Sequence, residues 1–279
     1  MTPVGEQTVL ITGSTDGLGK ATARELAAQG ATVLIHGRDP ERVNATLAEI
    51  ARDTGNRKGR GYCADLSDLA QVRRLAAEVA AHRDRLDLLI NNAGTGGNAA
   101  TRRRETSVDG YELIFAVNYL SHFLLTRRLV PLLEAAAPSR VVNVASVGQL
   151  PLDFDDLMME KRHVPFDAYR KSKLAMIMFT IDLAAELSAR GVTVNSLHPA
   201  SLMDTKMVRE WFGNASSTVQ EGVDALMKIA VSPALDGVTG RYFDGKKESR
   251  ANAQAYDTAA RARLWRLSDE LTEPRRKVG

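Results

Sequence analysis

Tyr169 and Lys173 stand four residues apart in Tyr169-Arg170-Lys171-Ser172-Lys173, within a run whose pattern predicts a helix over residues 167–190. Side chains at that spacing share one helix face. A phenol ordinarily titrates at about 10, and a neighbouring ammonium favours its ionised form, so the pair could move a proton near neutral pH. A surface Tyr and Lys on an ordinary amphipathic helix would read the same way, because this spacing recurs by chance. What precedes the pair decides between the two.

Thr8-Val9-Leu10-Ile11 is a short β-rich run, followed by Thr12-Gly13-Ser14-Thr15-Asp16-Gly17-Leu18-Gly19-Lys20, a helical pattern to Gln29, a closing Gly30, and a second strand at Thr32-Val33-Leu34-Ile35. A chain that turns from strand into helix against a pyrophosphate needs glycine where a Cβ would collide, and the helix start offers free amides. The spacing is G-x-x-x-G-x-G rather than G-x-G-x-x-G; a tight turn is the alternative. After the second strand comes His36-Gly37-Arg38-Asp39. An NAD site usually carries an acid at this strand end, whereas an arginine accommodates a 2′-phosphate, so Gly37 followed by Arg38 favours NADP. Otherwise Arg38 is a solvated loop residue and Asp39 holds the ribose or caps the next helix.

The alternation continues with a helix over residues 40–53, a strand at 61–64, Asp65 and Asp68 at a helix start, and a strand at Leu86-Asp87-Leu88-Leu89-Ile90 ending in Asn91-Asn92-Ala93-Gly94. Asp65 could reach an adenine ring; either Asp could serve only as a cap. A long helix is expected over 108–137, a fifth strand over 141–146, a sixth over 192–197 and a seventh over 240–243. An Arg-rich helix should follow over 252–271. This pitch implies a single Rossmann-type, doubly wound parallel α/β sheet of about seven strands, with helices on both faces and ligands at the strand carboxyl ends.

Composition agrees with one large domain over residues 1–279: the chain is 44% hydrophobic. Lys and Arg total 37 against 34 Asp and Glu, and no basic stripe interleaves with aromatics as nucleic-acid binding would need. The single cysteine, Cys63, cannot form an internal disulfide or a multi-thiolate site, and the five histidines include no i, i+4 pair, so no metal is expected. No run approaches the ~18 apolar residues of a membrane span, and no leader opens the chain, so the expected compartment is the cytoplasm.

Together, Thr12-Gly13-x-x-x-Gly17-x-Gly19, Asn91-Asn92-Ala93-Gly94 and Tyr169-x-x-x-Lys173 resemble the short-chain dehydrogenase/reductase family along nearly the whole chain. The surroundings of Asn118, the pattern after Asn195, Gly240-Arg241-Tyr242-Phe243 and Leu264-Trp265-Arg266-Leu267-Ser268 resemble its retinol-dehydrogenase-like branch. The resemblance implies a catalytic set of Asn118, Ser146, Tyr169 and Lys173. Tyr169 would be the general acid in reduction, Lys173 would lower its pKa and bind the nicotinamide ribose, Ser146 would orient the carbonyl, and Asn118 would order a water leading to the lysine. It also implies cofactor contacts at Gly13, Thr15, Asp16, Gly17, Leu18, Gly19, Arg38, Asp65, Leu66, Asn92, Ala93, Gly94, Pro199 and Thr205, besides Tyr169 and Lys173. Read from the residues alone, Asn118 could be a structural polar group and Ser146 a local turn.

The expected activity is therefore an NADP(H)-dependent oxidoreductase interconverting a carbonyl and a primary or secondary alcohol on a fairly apolar small molecule, as a reductase. A non-catalytic nucleotide-binding or regulatory protein is the alternative from another class, and an epimerase-like use of the cofactor is a third. Residues 149–166 should form a substrate flap and 201–217 a lid, although Leu152, Phe154, Met159, Met203, Met207, Trp211 and Phe212 could simply pack. The Arg102-Arg103-Arg104 run reads as a solvated face. The two long helices could pair across a two-fold axis in a homo-oligomer or lie under the C-terminal helix.

Overall fold

In the computed structural model, residues 2–98 and 103–274 are described. Strand and helix alternate as β1 (Thr8–Ile11), α1 (Gly17–Ala28), β2 (Thr32–Gly37), α2 (Pro40–Thr54), β3 (Arg60–Cys63), α3 (Leu69–His82) and β4 (Leu88–Asn91). There follow α4 (Leu113–Phe115), a π turn (Ala116–Leu120), α5 (Ser121–Ala135), β5 (Ser139–Val144), α6 (Pro165–Leu187) and β6 (Val192–His198). The chain then forms α7 (Lys206–Phe212), α8 (Val219–Val231), β7 (Tyr242–Asp244), β8 (Lys247–Ser249) and α9 (Thr258–Thr272). The sheet order is β3-β2-β1-β4-β5-β6-β7-β8, parallel except for the last pair.

The sheet thus has eight strands where about seven are expected. The extra one is a charged edge strand, Lys247-Glu248-Ser249, exposed throughout and paired antiparallel to β7. Another difference concerns the helix expected over 108–137. It starts only at Leu113, because Ser107 to Gly110 make a turn in which Val108 is 72% exposed. Once begun, it passes through the π turn containing Asn118.

Successive strand residues face opposite layers, and the core divides accordingly. Leu10, Leu34, Leu89 and Val141 pack under α3, α5, α6 and α9, whereas Val9, Ile11, Val33, Ile35 and Ile90 pack under α1 and α8. The C-terminal helix lies over α5 and α6: Trp265 sits 5.3 Å from the Phe123 ring and 5.8 Å from Phe179, and Tyr119 shares a 2.7 Å hydrogen bond with Ser268. Each such aromatic pair adds about 0.5–1.5 kcal/mol beyond area burial. No helix among the described residues is long and apolar enough to cross a membrane.

Strand order reverses between β1 and β4, so the turns leaving their carboxyl ends splay apart into a crevice.

Candidate active site

The floor of that crevice is built around one hydroxyl. Thr12 Oγ1 accepts the main-chain N–H of Asn92 at 2.9 Å and of Ala93 at 3.0 Å. Asn92 answers by donating its side-chain amide to the carbonyls of Thr12 (2.8 Å) and Gly13 (3.1 Å). The two turns therefore hold each other, which explains two of the glycines: a Cβ on Gly13 would lie 2.8 Å from Ala93 Cα, and one on Gly19 would lie 2.4 Å from the Gly13 carbonyl oxygen. At Gly17 the reason is conformational, since φ is +48° and the nearest atom to where a Cβ would stand, Thr205 Cγ2, is 3.5 Å away.

Asp16 caps α1 by accepting from Gly17 N at 2.8 Å, and Arg42 of α2 reaches across to pair with Asp16 (2.9 Å) and donate to the Thr15 carbonyl (3.3 Å). Burial opposes the Asp16 charge, but the Gly17 N–H, Arg42 and Lys20 outweigh it and hold the carboxyl below its usual range. Leu18 and Leu66 put their side chains into the core, so any cofactor contact there is left to the main chain.

Sequence patterns gave no sign of His36. Buried at the end of β2, it accepts the Gly13 N–H on Nδ1 at 3.1 Å, and its Nε2 lies 3.1 Å from the Ala64 carbonyl. A carbonyl only accepts, so the proton is on Nε2. Burial holds its pKa down at about 4, and the ring stays neutral.

Beyond it, Gly37 is pressed against Thr15, whose Cγ2 would lie 2.7 Å from a Cβ. Arg38 is exposed and makes no ion pair among the described residues, and Cys63 donates its thiol to the Arg38 carbonyl at 3.3 Å. Asp39 caps α2 by accepting from Glu41 N and Arg42 N. Asp68 likewise caps α3, and Asp65 closes a local turn with Ser67 N.

Across the crevice, Tyr169 and Lys173 lie on one face of α6. The Tyr169 phenol lies near Ser146, just past β5, whose hydroxyl accepts the Gly148 N–H at 3.0 Å. Lys173 Nζ donates to the Val144 carbonyl at 2.9 Å and lies 5.5 Å from the Tyr169 ring centre. Burial pushes Lys173 down to about 8. Burial also raises the Tyr169 pKa, with the neighbouring Ser146 acting the other way. The lowered tyrosine pKa expected from the spacing is thus not what this geometry gives: the ammonium addresses the ring face and a carbonyl rather than the phenol oxygen.

Asn118 is buried with its amide fully engaged. Its Oδ1 accepts from Thr95 N (2.8 Å), and its Nδ2 donates to Thr95 O (3.0 Å) and Ser172 Oγ (3.1 Å). The side chain clamps the turn after β4 to the tyrosine helix. A Cβ on Gly94 would lie 3.4 Å from Asn118 Oδ1 and 3.7 Å from Lys173 Nζ, so Gly94 joins the floor of the crevice to the Tyr169–Lys173 pair.

Residues 149–166 contain no strand and become helical only where α6 begins at Pro165. Leu152 and Met159 are buried, and Phe154, Leu157 and Met158 pack on the main core. Arg104 donates to Met158 O at 3.0 Å, so it anchors this segment instead of being merely solvated; Arg103 is exposed, and Arg102 lies outside the described residues. In residues 201–217, Met203 packs on the core, Thr205 caps α7, and Trp211 rests on Gly96, where a Cβ would meet its Nε1 at 2.5 Å. Pro199 is buried, 3.6 Å from where a Gly222 Cβ would stand. Phe212 is half exposed and meets Phe166 edge to face at 5.9 Å; Phe166 in turn lies parallel to the Tyr169 ring at 6.3 Å.

The short chain dehydrogenase family model matches residues 7–215. Among the relatives, retinol dehydrogenase 13 of Mus musculus is 36% identical over 95% of this chain and 83% of its own length. Retinol dehydrogenase 12 of Homo sapiens is 38% identical over 94% and 85%. Among solved structures, a short chain dehydrogenase from Escherichia coli CFT073 complexed with NADPH has a TM-score of 0.72 at 26% identity, covering 87% of this chain and 97% of that one. The RhlG/NADP active-site complex of Pseudomonas aeruginosa gives 0.71 at 27%, covering 88% and 98%. The chain belongs to the short-chain dehydrogenase/reductase family and is similar to its retinol dehydrogenases. It is an oxidoreductase acting between CH–OH and C=O.

Proposed function

We propose that this oxidoreductase uses NADP(H) and works as a reductase on the carbonyl of a fairly apolar small molecule, yielding a primary or secondary alcohol. The observation that carries the reading is the convergence of Tyr169, Ser146 and the Lys173 ammonium, which lies 5.5 Å from the centre of the tyrosine ring, with Gly94 alongside. Two hydroxyls so placed can both address one carbonyl oxygen. Ser146 orients it, and Tyr169 delivers a proton to the alkoxide as negative charge develops; a positioned acid of this kind contributes about 10²–10⁴-fold.

When bound, the dinucleotide supplies the hydride. The Gly13–Gly19 turn and the start of α1 suit its pyrophosphate, Asp65 and Leu66 lie where the adenine end belongs, and Asn92 to Gly94, Lys173, Pro199 and Thr205 surround the nicotinamide end. Lys173 would hold the ribose, and Asn118 would supply the relay through its main-chain carbonyl, because its amide is already engaged. The 2′-phosphate is assigned to Arg38, which is exposed beside Gly37 and makes no ion pair among the described residues; complexes of similar chains with NADPH and NADP support the choice. Residues 149–166 act as flap and 201–217 as lid on one nucleotide-binding domain.

The test is a fluorescence titration of the purified protein with NADPH and NADH, followed by NADPH oxidation with a panel of ketones and aldehydes. Tighter binding of NADPH and turnover of an apolar carbonyl are expected. Binding of neither nucleotide overturns the reading.

A further inference from the structure

His122 is completely buried, titratable and unassigned by the chemistry above. It sits on α5, four residues after Asn118, and both ring nitrogens are bonded: Nδ1 lies 3.2 Å from the Asn118 carbonyl oxygen and Nε2 lies 3.0 Å from Thr12 Oγ1. The carbonyl can only accept, so Nδ1 carries the proton and Nε2 presents its lone pair. Thr12 must therefore donate to Nε2, which is consistent with its oxygen accepting from Asn92 N and Ala93 N. Its other approach, to the Ile90 carbonyl, is longer at 3.4 Å.

The result is a directed chain: Asn118 carbonyl, His122 imidazole, Thr12 hydroxyl, Asn92 and Ala93 amides. It begins at the residue assigned to the proton relay and ends in the turn assigned to the nicotinamide. The side chain of the same asparagine ties the π turn to Ser172, between Tyr169 and Lys173. We propose that His122 is a positioning residue that couples the nucleotide floor to Asn118, fixing the Thr12 hydroxyl at one nitrogen and the Asn118 carbonyl at the other. The inference rests on the nucleotide assignment made above.

Four variants and one spectroscopic measurement test it. A glutamine carboxamide has a donor nitrogen and an acceptor oxygen at nearly the spacing of the two ring nitrogens, whereas leucine fills similar space and offers neither. His122→Leu is expected to weaken NADPH binding about tenfold, the size of one lost buried hydrogen bond, and His122→Gln to recover it to within about threefold. Thr12→Val is expected to weaken binding as well. Combining Thr12→Val with His122→Leu should then add less than about twofold, because both act through one path. A purely structural histidine would lower the melting temperature and leave NADPH affinity alone, or give independent, multiplying losses.

The measurement that needs no variant is ¹⁵N NMR of the wild-type ring. Protonated Nδ1 and bare Nε2 are expected, with the Nε2 signal moving as NADPH saturates; the opposite tautomer, or an unmoved signal, overturns the proposal. Wild-type protein that binds no nucleotide overturns this inference and the cofactor assignment together. Wild-type protein that binds NADPH while His122→Leu binds it equally well overturns this inference alone.

Discussion

Lys173 gives its ammonium to the Val144 carbonyl at 2.9 Å and lies over the face of the Tyr169 ring, 5.5 Å from its centre. The lysine is thus held at the end of β5 by the sheet itself, and burial keeps its pKa at about 8. It is cationic below that pH and neutral above. Affinity for NADPH is expected to fall as pH rises through about 8, and Lys173→Met should flatten the profile as well as lower it. A wild-type affinity constant from pH 6.5 to 9.5 would remove Lys173 from the ribose site.

Tyr169→Phe removes only the phenol oxygen, and the ring that stacks on Phe166 remains. Turnover should fall about 10²–10⁴-fold while NADPH affinity stays near wild type. Single-turnover rates at saturating NADPH separate the two quantities, and undiminished turnover would assign the proton to another group.

The two buried histidines make a prediction about acid stability. His36 titrates at about 4 and His122 at about 3 in the folded chain, against 6.5 for an exposed histidine. Both are lowered by burial. The unfolded chain therefore takes up protons first as pH falls below about 6.5, so stability is fully present above that pH and is lost on acidification. From pH 7 to 5 the loss is about 2 kcal/mol for each histidine. Urea midpoints that coincide at pH 7 and pH 5 would contradict the neutral, tautomer-locked rings.

Gly19→Ala and Gly17→Ala should differ in kind. At Gly19 a methyl group would strike the Gly13 carbonyl and the Asn92 amide, forcing apart the two turns that hold each other. A cost of about 1–3 kcal/mol is expected, with loss of nucleotide binding. Gly17 has room, and alanine there meets only the left-handed backbone penalty of about 1–2 kcal/mol. Thermal unfolding with NADPH titration of both variants checks the order.

Much of this architecture was legible because strand, turn and helix each leave their own period in the sequence. β1, β2, β4 and β5 could be read from β-rich runs ending at glycine, asparagine or serine, and β3, β6 and β7 from their place in the alternation. β8 could not, since Lys247-Glu248-Ser249 has no apolar residue and owes its form to pairing with β7. The start of α4 was masked in a similar way: Val108 and Tyr111 continue an apolar pattern through what is a turn, although Gly110, at φ +84°, marked it. Of the site, the residue types of Ser146, Tyr169 and Lys173 pointed to their chemistry. The roles of Thr12, His36 and His122 depend on partners 78 to 110 positions away or on one strand end meeting another, and no local pattern encodes such a meeting.

The contact between Gly37 and Thr15 also bears on redesign. On the NADP assignment proposed above, accepting the unphosphorylated nucleotide calls for an acid at the strand end, Gly37→Asp. In this chain the new Cβ would arrive 2.7 Å from Thr15 Cγ2 and 3.1 Å from Val43 Cγ2. Swapping the charge alone would therefore wedge β2 away from the first turn, and a change of coenzyme has to begin by shrinking Thr15.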